Sequence, residues 1–449
     1  MTSAGASDND RDVQAEHRSK LRFLLRSAAA LVSTSIVTSG LGFIYWAVAA
    51  RMFRATDVGE SATAIAAMSL IAPFTVLGLG TVLVSRLPTM RSGRAELVAT
   101  ATVVSGLVGT IVALVGAFTL PSDFLGLPGI GRDVGITVLF VVAVATQGMG
   151  YLLDYALLSA IGGGMQLGRN TIQAIVKLVL LVVLALTLAR FGSLVIVASW
   201  AVANVVSIAA VIGLLMRQFP QPLRHVMPRL SALRGIHFAA AKHHMLNIAL
   251  FTPFFAMPIL ANVILGSEQA AYLYATWQVA GFLFYVPIAL ATALFASGAR
   301  DASTFVMEFR FTLRYALLIC AAANVGVLLL GGWVLRIFGP DYAANGRIAL
   351  IFMCLGGFGL IIKDHHVAIA RVTETVGREA ILVGALGLGE LVGAAIGAWR
   401  GGLNGLGLGW LAAVALEALV CGPLVWRAYR GRLVITSGER GTAAEAGQG

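Results

Sequence analysis

Long apolar runs recur along the whole chain, and they constrain its fold more than any other feature. A transmembrane helix needs about 20 mostly apolar residues to cross the hydrocarbon core of a bilayer. Of the 449 residues, 58% are hydrophobic and 12% are charged, whereas soluble domains carry about 25% charged residues. A soluble enzyme, a disordered chain and a disulfide-rich secreted module are therefore excluded, and we predict an all-α integral membrane protein. The twelve predicted transmembrane helices cover residues 27–50, 60–85, 97–120, 134–159, 171–189, 194–216, 245–266, 270–296, 314–335, 347–362, 379–399 and 404–426.

The positions of Lys and Arg predict how these spans are oriented. Cytoplasmic loops of membrane proteins carry an excess of Lys and Arg. If both termini are cytoplasmic, the inner segments hold 24 of the 32 Lys and Arg residues and the outer loops hold 7. The remaining one, Lys177, lies within a span. The net charge of +11 therefore indicates membrane topology, and no nucleic-acid partner is expected.

A polar segment at 217–244 separates two halves of six spans each. An internal repeat supports this division, because AARMFRATDVGESATA from Ala49 resembles LANVILGSEQAAYLYA from Leu260 at a constant offset of 211 residues. In both copies a Thr-Asp or Ser-Glu pair can cap the following helix. Six spans lie between the copies, so the halves run in the same direction and are related by an axis along the membrane normal. The predicted domains are a cytoplasmic tail at 1–26, lobes at 27–216 and 245–426, the basic cytoplasmic linker at 217–244 and a second cytoplasmic tail at 427–449.

Ionisable residues within spans are the first candidates for function, because they are costly in lipid and usually face a bundle interior or a wet cavity. Four occur, at Asp154, Lys177, Glu390 and Glu417. Asp154 and Lys177 fall toward the cytoplasmic side of consecutive spans and can form an ion pair. That pair is either structural, or it combines a carboxylate for a coupling cation with a lysine for a substrate phosphate. For each glutamate, a structural partner and a lateral groove both remain open.

Polar side chains also recur at helical spacing on single faces of several spans. Aromatic and amide groups on one face suit stacking on a sugar-like headgroup and hydrogen bonding to it, although ordinary contacts between helices explain them almost as well. The predicted substrate or coupling-ion cavity is lined by Gln147, Tyr151, Asp154, Asn170, Gln173, Lys177, Asn204, Gln278 and Glu390.

Catalytic and metal-binding motifs are missing from the sequence, which contains no HExxH, GxSxG or P-loop. The three cysteines lie singly in apolar stretches and are interpreted as small hydrophobic residues. The histidine pairs His243-His244 and His365-His366 are predicted to lie in solvated loops. We therefore expect no metal, no cofactor and no enzymatic activity. A membrane-embedded glycosyl- or acyltransferase is disfavoured, because the outer loops hold few acids and no histidine.

Three segments resemble a known family of membrane proteins. They are LGFIYWAVAARMFRATDVGESATAIAAMSLIAPFTVLGLGTVLVSRLP from Leu41, ANVILGSEQAAYLYATWQVAGFLFYVPIALATALFASGA from Ala261, and VLRIFGPDYAANG from Val334. They are similar to the polysaccharide and lipid-linked oligosaccharide flippases of the multidrug/oligosaccharidyl-lipid/polysaccharide exporter superfamily. The resemblance implies twelve transmembrane helices in two six-helix lobes around a central cavity.

The same resemblance implies a function and a location. A lipid-linked oligosaccharide or a related cell-envelope polysaccharide precursor would cross the bacterial plasma membrane by alternating access. The partners would be membrane lipids, a polyprenyl- or other lipid-linked saccharide as substrate, and glycosyltransferases and a polymerase of the same pathway. The family also implies several cations in the cavity, whereas the sequence places only Lys177 clearly within a span. A cation-coupled multidrug exporter of the same superfamily, with Asp154 as the coupling carboxylate, is the alternative.

Overall fold

Helices make up nearly all of the ordered structure. A computed structural model describes residues 38–90, 92–218, 227–233, 241–298, 305–373 and 375–432, and these residues contain no strand. Ten of the described helices are long and apolar enough to cross a membrane, and the all-α integral membrane fold is confirmed. The helices are α1 (38–52), α2 (Ala55–Thr75), α3 (Leu79–Arg86), α4 (Arg94–Thr119), α5 (Ser122–Leu125), α6 (Val134–Ala160), α7 (Gly163–Leu188), α8 (Ser193–Gln218), α9 (Ala241–Leu265), α10 (Ser267–Gly298), α11 (Phe305–Arg336), α12 (Pro340–Val372) and α13 (Val376–Tyr429).

Three of the predicted spans differ from single straight helices. The second is divided into α2 and α3 by a turn in which Leu77 and Gly78 have φ of 50° and 73°. This turn follows Pro73, whose ring removes a backbone hydrogen bond and favours a bend. The last two spans are joined in α13, where Gly401 and Gly402 interrupt the helical backbone and make a hairpin.

Helices α7 and α12 extend well beyond the predicted spans, and this corrects the predicted limits of both spans. α7 begins at Gly163 and includes Arg169, while α12 continues to Val372 and includes Lys363. The predicted spans leave both cations in inner loops, whereas both are buried in the protein interior. Apolar runs underestimate the length of such helices, because a charged residue ends the apolar run even where a buried partner neutralises that charge. The count of inner Lys and Arg falls to 22 and still exceeds the outer 7.

The first lobe contains α1 to α8 and the second contains α9 to α13. α2 of the first lobe packs against α9 and α10 of the second. The two copies of the internal repeat meet here, because a Cβ at Gly59 would overlap the carbonyl group of Ser267. The helix cap expected at Thr56-Asp57 is not formed. Asp57 pairs instead with Arg54 at 3.0 Å.

Large apolar side chains on the outer faces of the lobes are suited to contact lipid. Leu107, Ile111 and Val115 of α4 follow one another at four-residue intervals, and each is more than half exposed. The exact domain limits stay a prediction. The tail at 1–26, residues 27–37 of the first predicted span, residues 433–449 of the tail predicted at 427–449 and most of the 217–244 linker, including His243, lie outside the residues whose side chains the structure describes.

Candidate functional site

A cavity of about 350 Å³ lies between the two lobes. Its walls come from α1, α6, α7 and α8 of the first lobe and from α9 and α10 of the second. Eight of the nine predicted site residues line it, namely Gln147, Tyr151, Asp154, Asn170, Gln173, Lys177, Asn204 and Gln278. The sequence therefore predicts which side chains come together here, and their role in transport remains a proposal.

The acidic group of the cavity is held in a bidentate ion pair. The Nε and Nη2 atoms of Arg169 each donate a hydrogen bond of 2.7 Å to the carboxylate of Asp154. The side-chain amide of Asn170 donates to the same carboxylate at 3.3 Å and accepts a 2.8 Å bond from Arg169. Gly150 leaves space for the guanidinium, because a Cβ there would lie 3.0 Å from its Nη1. The expected pair of Asp154 with Lys177 is therefore replaced by a pair with Arg169.

Lys177 is buried against aromatic rings. Its ammonium lies 3.7 Å from the ring centroid of Trp200 and 5.1 Å from that of Tyr45. Desolvated cation–π contacts of this kind stabilise an ammonium. Tyr45 is fixed in turn by hydrogen bonds to the Ile196 carbonyl and to Ser199. Lys177 is 6% exposed and has no carboxylate partner among the described residues, so its ammonium, when protonated, is available to a ligand.

Amide side chains connect the walls of the first lobe. The Oε1 atom of Gln147 accepts hydrogen bonds from Trp200 Nε1 at 3.2 Å and from Asn204 Nδ2 at 2.8 Å. Gln173 Nε2 donates to Asn204 Oδ1 at 3.3 Å, and Gln278 Nε2 of the second lobe donates to the Tyr274 hydroxyl at 3.2 Å. Each amide still has hydrogen-bonding capacity left. The surface is suited to the hydroxyl groups of a sugar.

Contacts between the lobes close the predicted outer end of the cavity. Arg51, near the end of α1, donates a 2.9 Å hydrogen bond to the carbonyl of Ile337 and a second bond to that of Arg336. Asn262 of α9 donates a 2.6 Å bond to the carbonyl of Asp123. The cavity is lined by Asp154 and Arg169 near the predicted cytoplasmic ends of α6 and α7, and it extends to Gln147 and Lys177 near the middle of these helices. This arrangement is closed on the predicted outer side.

Glu390, the ninth predicted residue, does not line the cavity. It is 3% exposed inside the second lobe and accepts hydrogen bonds from Lys363 and from Trp410. Glu417 is 1% exposed in the same cluster. The structural-partner alternative is therefore the correct one for Glu390. The histidines at 365 and 366 are also buried in α12 and not solvated, with His366 Nε2 lying 2.8 Å from a carboxylate oxygen of Glu379.

The cavity has an excess of positive charge. Asp154 is the one acid among its described lining residues, and Arg169 and Lys177 are its two cations. With Asp154 engaged by Arg169, a protonated Lys177 gives the cavity a net charge of about one unit in a partly desolvated space, where Coulomb interactions are stronger than in water. Such a site favours an anionic ligand with neighbouring polar groups.

Arg169 is the functional candidate that the sequence analysis missed. The predicted fifth span begins only at Thr171, which leaves Arg169 in a loop. Its spacing contains a signal, since Gln166, Arg169, Gln173 and Lys177 recur at intervals of three or four residues and so share one helix face. Continuing that polar stripe toward the N-terminus would have placed the guanidinium on the cavity.

Comparisons with known proteins give a fold relationship. No family model and no curated protein matches the sequence. Among solved structures, the chain is similar to an inward-facing multidrug resistance MATE family transporter of the MOP superfamily, with a TM-score of 0.62 and 16% identity over 90% of this chain and 98% of that one. It is also similar to the lipid II flippase MurJ in an inward closed conformation, with a TM-score of 0.64 and 12% identity over 90% of each chain. A third similar structure is a MOP superfamily transporter from Pyrococcus furiosus, with a TM-score of 0.56 and 14% identity over 90% and 96% of the two chains. At these identities the comparisons show a shared fold of twelve transmembrane helices in two lobes.

Proposed function

We propose that this chain is a transporter of the MOP superfamily that flips an anionic lipid-linked saccharide across the bacterial plasma membrane, with both termini in the cytoplasm. The single observation that carries the proposal is the charge of the central cavity. Asp154 is neutralised by Arg169, and the buried Lys177 has no carboxylate partner among the described residues. A phosphate or diphosphate is the charged part of a lipid-linked saccharide and complements this excess cation.

Each group of lining residues has a role in this proposal. Lys177 and the N–H groups of Arg169 that do not bind Asp154 donate hydrogen bonds to the phosphate oxygens. Such charge-assisted hydrogen bonds are stronger than those between neutral groups. Gln147, Gln173 and Gln278 bind the sugar hydroxyl groups. The apolar tail remains in the bilayer, because transferring it into the cavity would forfeit its burial in lipid.

The state of the molecule supports alternating access. The predicted outer end is closed by Arg51 and Asn262, so a headgroup enters from the predicted cytoplasmic side. Release on the other side requires these contacts to break and the lobes to separate there. Rigid-body rocking of two repeats around a central site is the usual form of such a cycle.

A cation-coupled multidrug exporter is the second candidate. The similarity to a multidrug resistance MATE family transporter supports it. A cationic drug or a coupling cation needs a free carboxylate, and Asp154 in the described cavity is already paired with Arg169. The multidrug function would therefore require this ion pair to open during transport.

Deletion of the gene tests the proposal in cells. We expect lipid-linked saccharide precursors to accumulate on the cytoplasmic side and surface polysaccharide to fall. Lys177→Arg should restore export and Lys177→Met should not, while Arg400→Met, which changes an exposed outer cation, serves as the control. Normal surface polysaccharide without precursor accumulation would refute the proposal, and restored export by Lys177→Met would refute the role of the lysine.

A further inference from the structure

A second cluster of charged residues is buried in the second lobe, away from the cavity. Lys363 of α12 contacts two glutamates, one on each half of the α13 hairpin. Its Nζ lies 2.5 Å from Glu390 Oε1 and 3.0 Å from Glu417 Oε2. All three residues are at most 5% exposed. We call these three residues the acid–lysine cluster.

The charges of this cluster do not balance. Two carboxylates and one ammonium leave one excess negative charge in a region packed by apolar helices. Further ionisable groups near the cluster are Asp364 and Arg371 on α12, which carry opposite charges, and Glu379 of α13, which lies 2.8 Å from His366 Nε2. The neighbouring helices α9, α10 and α11 contribute uncharged groups. Trp277 of α10 packs on Trp410, and Pro253 of α9 lies against α13. Thr312 of α11 lies against α12. An uncompensated buried carboxylate is so costly that it takes up a proton.

The hydrogen bonds indicate which carboxyl group holds that proton. Glu390 is the better stabilised anion, because it has the shorter contact to Lys363 and also accepts a 2.7 Å hydrogen bond from Trp410 Nε1. Both carboxyl oxygens of Glu417 are buried without a hydrogen-bond partner, and Oε2 has only the 3.0 Å ion-pair contact with Lys363. A metal cation has no obvious place here, since the lysine ammonium already occupies the position between the carboxylates. A proton needs no such space.

We propose that the acid–lysine cluster is a proton-binding site that holds one exchangeable proton on Glu417. In the loaded form Lys363 and Glu390 make a neutral ion pair and Glu417 is a neutral acid. On release the proton passes to water, the O–H bond of Glu417 breaks, and both carboxylates compete for the one ammonium. The cluster then carries one negative charge.

A series of aromatic contacts connects the cluster with the central cavity. Trp410, which is bonded to Glu390, makes an edge contact with Trp277 at 5.2 Å between ring centroids. Trp277 in turn lies 5.4 Å from Phe254, a residue of the cavity wall. Loss of the proton adds negative charge to this lobe and weakens the hold of Glu390 on Lys363. Proton release should therefore lower the affinity of the cavity for an anion, and by linkage an anion should raise the affinity for the proton.

Infrared difference spectroscopy on the full chain in lipid nanodiscs tests the proton site. When the pH is raised, the wild type should lose a protonated-carboxyl C=O band that shifts in D₂O. Glu417→Gln should abolish the band. Glu390→Gln should abolish it as well, because one carboxylate and one ammonium then balance. Glu379→Gln, which changes a buried acid of the same lobe outside the cluster, should keep it.

Two outcomes would overturn the proton site. The first is a wild type without the band, and the second is a band that persists in both cluster variants. If only Glu417→Gln removes it, Glu417 is an ordinary buried acid and the shared site is refuted. Near-wild-type melting temperatures of the Gln variants show that loss of the band is not loss of folding.

The link to the cavity rests on the proposed function and is tested separately with geranyl diphosphate as the probe. Its affinity for the wild type should fall as the pH rises through the titration of the band. Glu417→Gln, which stays neutral, should remove that part of the pH dependence. An unchanged pH profile in this variant refutes the link. If the probe does not bind at all, the proposed function fails while the infrared result still decides the proton site.

Discussion

The order in which cavity variants bind an anion follows directly from their charges. With Asp154, Arg169 and Lys177 ionised, the cavity has a net charge of about +1. Asp154→Asn raises it to about +2, Lys177→Met lowers it to about zero, and Arg169→Met also lowers it to about zero while freeing the Asp154 carboxylate to repel an anion. We expect the affinity for geranyl diphosphate to decrease in the order Asp154→Asn, wild type, and then the two Met variants.

The magnitude can be worked from the geometry. A unit charge about 4 Å from another contributes about 1 kcal/mol in bulk water and about 4 kcal/mol at an effective dielectric constant of 20. Lys177 is 6% exposed, so the value for the lower dielectric constant is the more appropriate one. A tenfold change in affinity corresponds to about 1.4 kcal/mol, so each unit of charge should change the dissociation constant by about tenfold or more. Lys177→Arg should change it much less, because the charge is kept.

Isothermal titration calorimetry on the protein in nanodiscs is a suitable assay. Geraniol serves as the uncharged control ligand and tetraphenylphosphonium as the cationic one. Stability needs its own control. Arg169→Met leaves the carboxylate of Asp154 without its bidentate partner, which costs about 3–5 kcal/mol in buried pairs, and the combined Asp154→Asn and Arg169→Met change should recover most of this. Weaker diphosphate binding by a folded Asp154→Asn protein, or tighter binding of tetraphenylphosphonium than of diphosphate by the wild type, would refute the reasoning.

Three further changes probe the fold around the site. Gly397→Leu should destabilise the α13 hairpin by about 1–3 kcal/mol or more, because overpacking strains the backbone. A Cβ at this position would overlap the carbonyl of Gly405. An unchanged melting temperature would contradict this close packing. Asn262→Ala removes the bond to Asp123 and should increase the opening of the outer end, measured as distances between spin labels on the two lobes; identical distance distributions would contradict its role in closure. Lys363→Met should lower stability by about 3–5 kcal/mol, and a melting temperature equal to that of the wild type would contradict the buried ion pairs.

The helical architecture follows largely from the sequence. Lipid requires every backbone polar group to be satisfied within the segment, so long apolar runs become helices almost regardless of detail. The ends of α7 and α12 could not be predicted in the same way. Arg169 and Lys363 each look like the end of a span, and each is neutralised by a carboxylate on another helix. Such pairing depends on tertiary packing, and the hydropathy of one segment carries no information about its contacts with other helices.

The candidate site was also predicted only in part, because its remaining contacts depend on tertiary packing. Helical spacing identified the polar faces of α6, α7, α8 and α10, because period fixes which residues share a face. Helical spacing did not identify which helix faces pack against one another. Glu390 looks like a cavity residue by charge alone, yet its helix turns that side chain toward Lys363 and Trp410. Asp154 similarly pairs with the guanidinium of Arg169 and not with the ammonium of Lys177.

Transport by the purified protein tests the central claim most directly. Full-length protein is reconstituted into liposomes that contain a fluorescent polyprenyl-diphosphate disaccharide, and the fraction that becomes accessible to an added quencher is followed over time. We predict faster equilibration of this lipid than in empty liposomes, a loss of that acceleration with Lys177→Met and its retention with Lys177→Arg. The same liposomes should not transport ethidium. No acceleration of the anionic lipid together with ethidium transport that depends on Asp154 would contradict the account and favour a multidrug exporter.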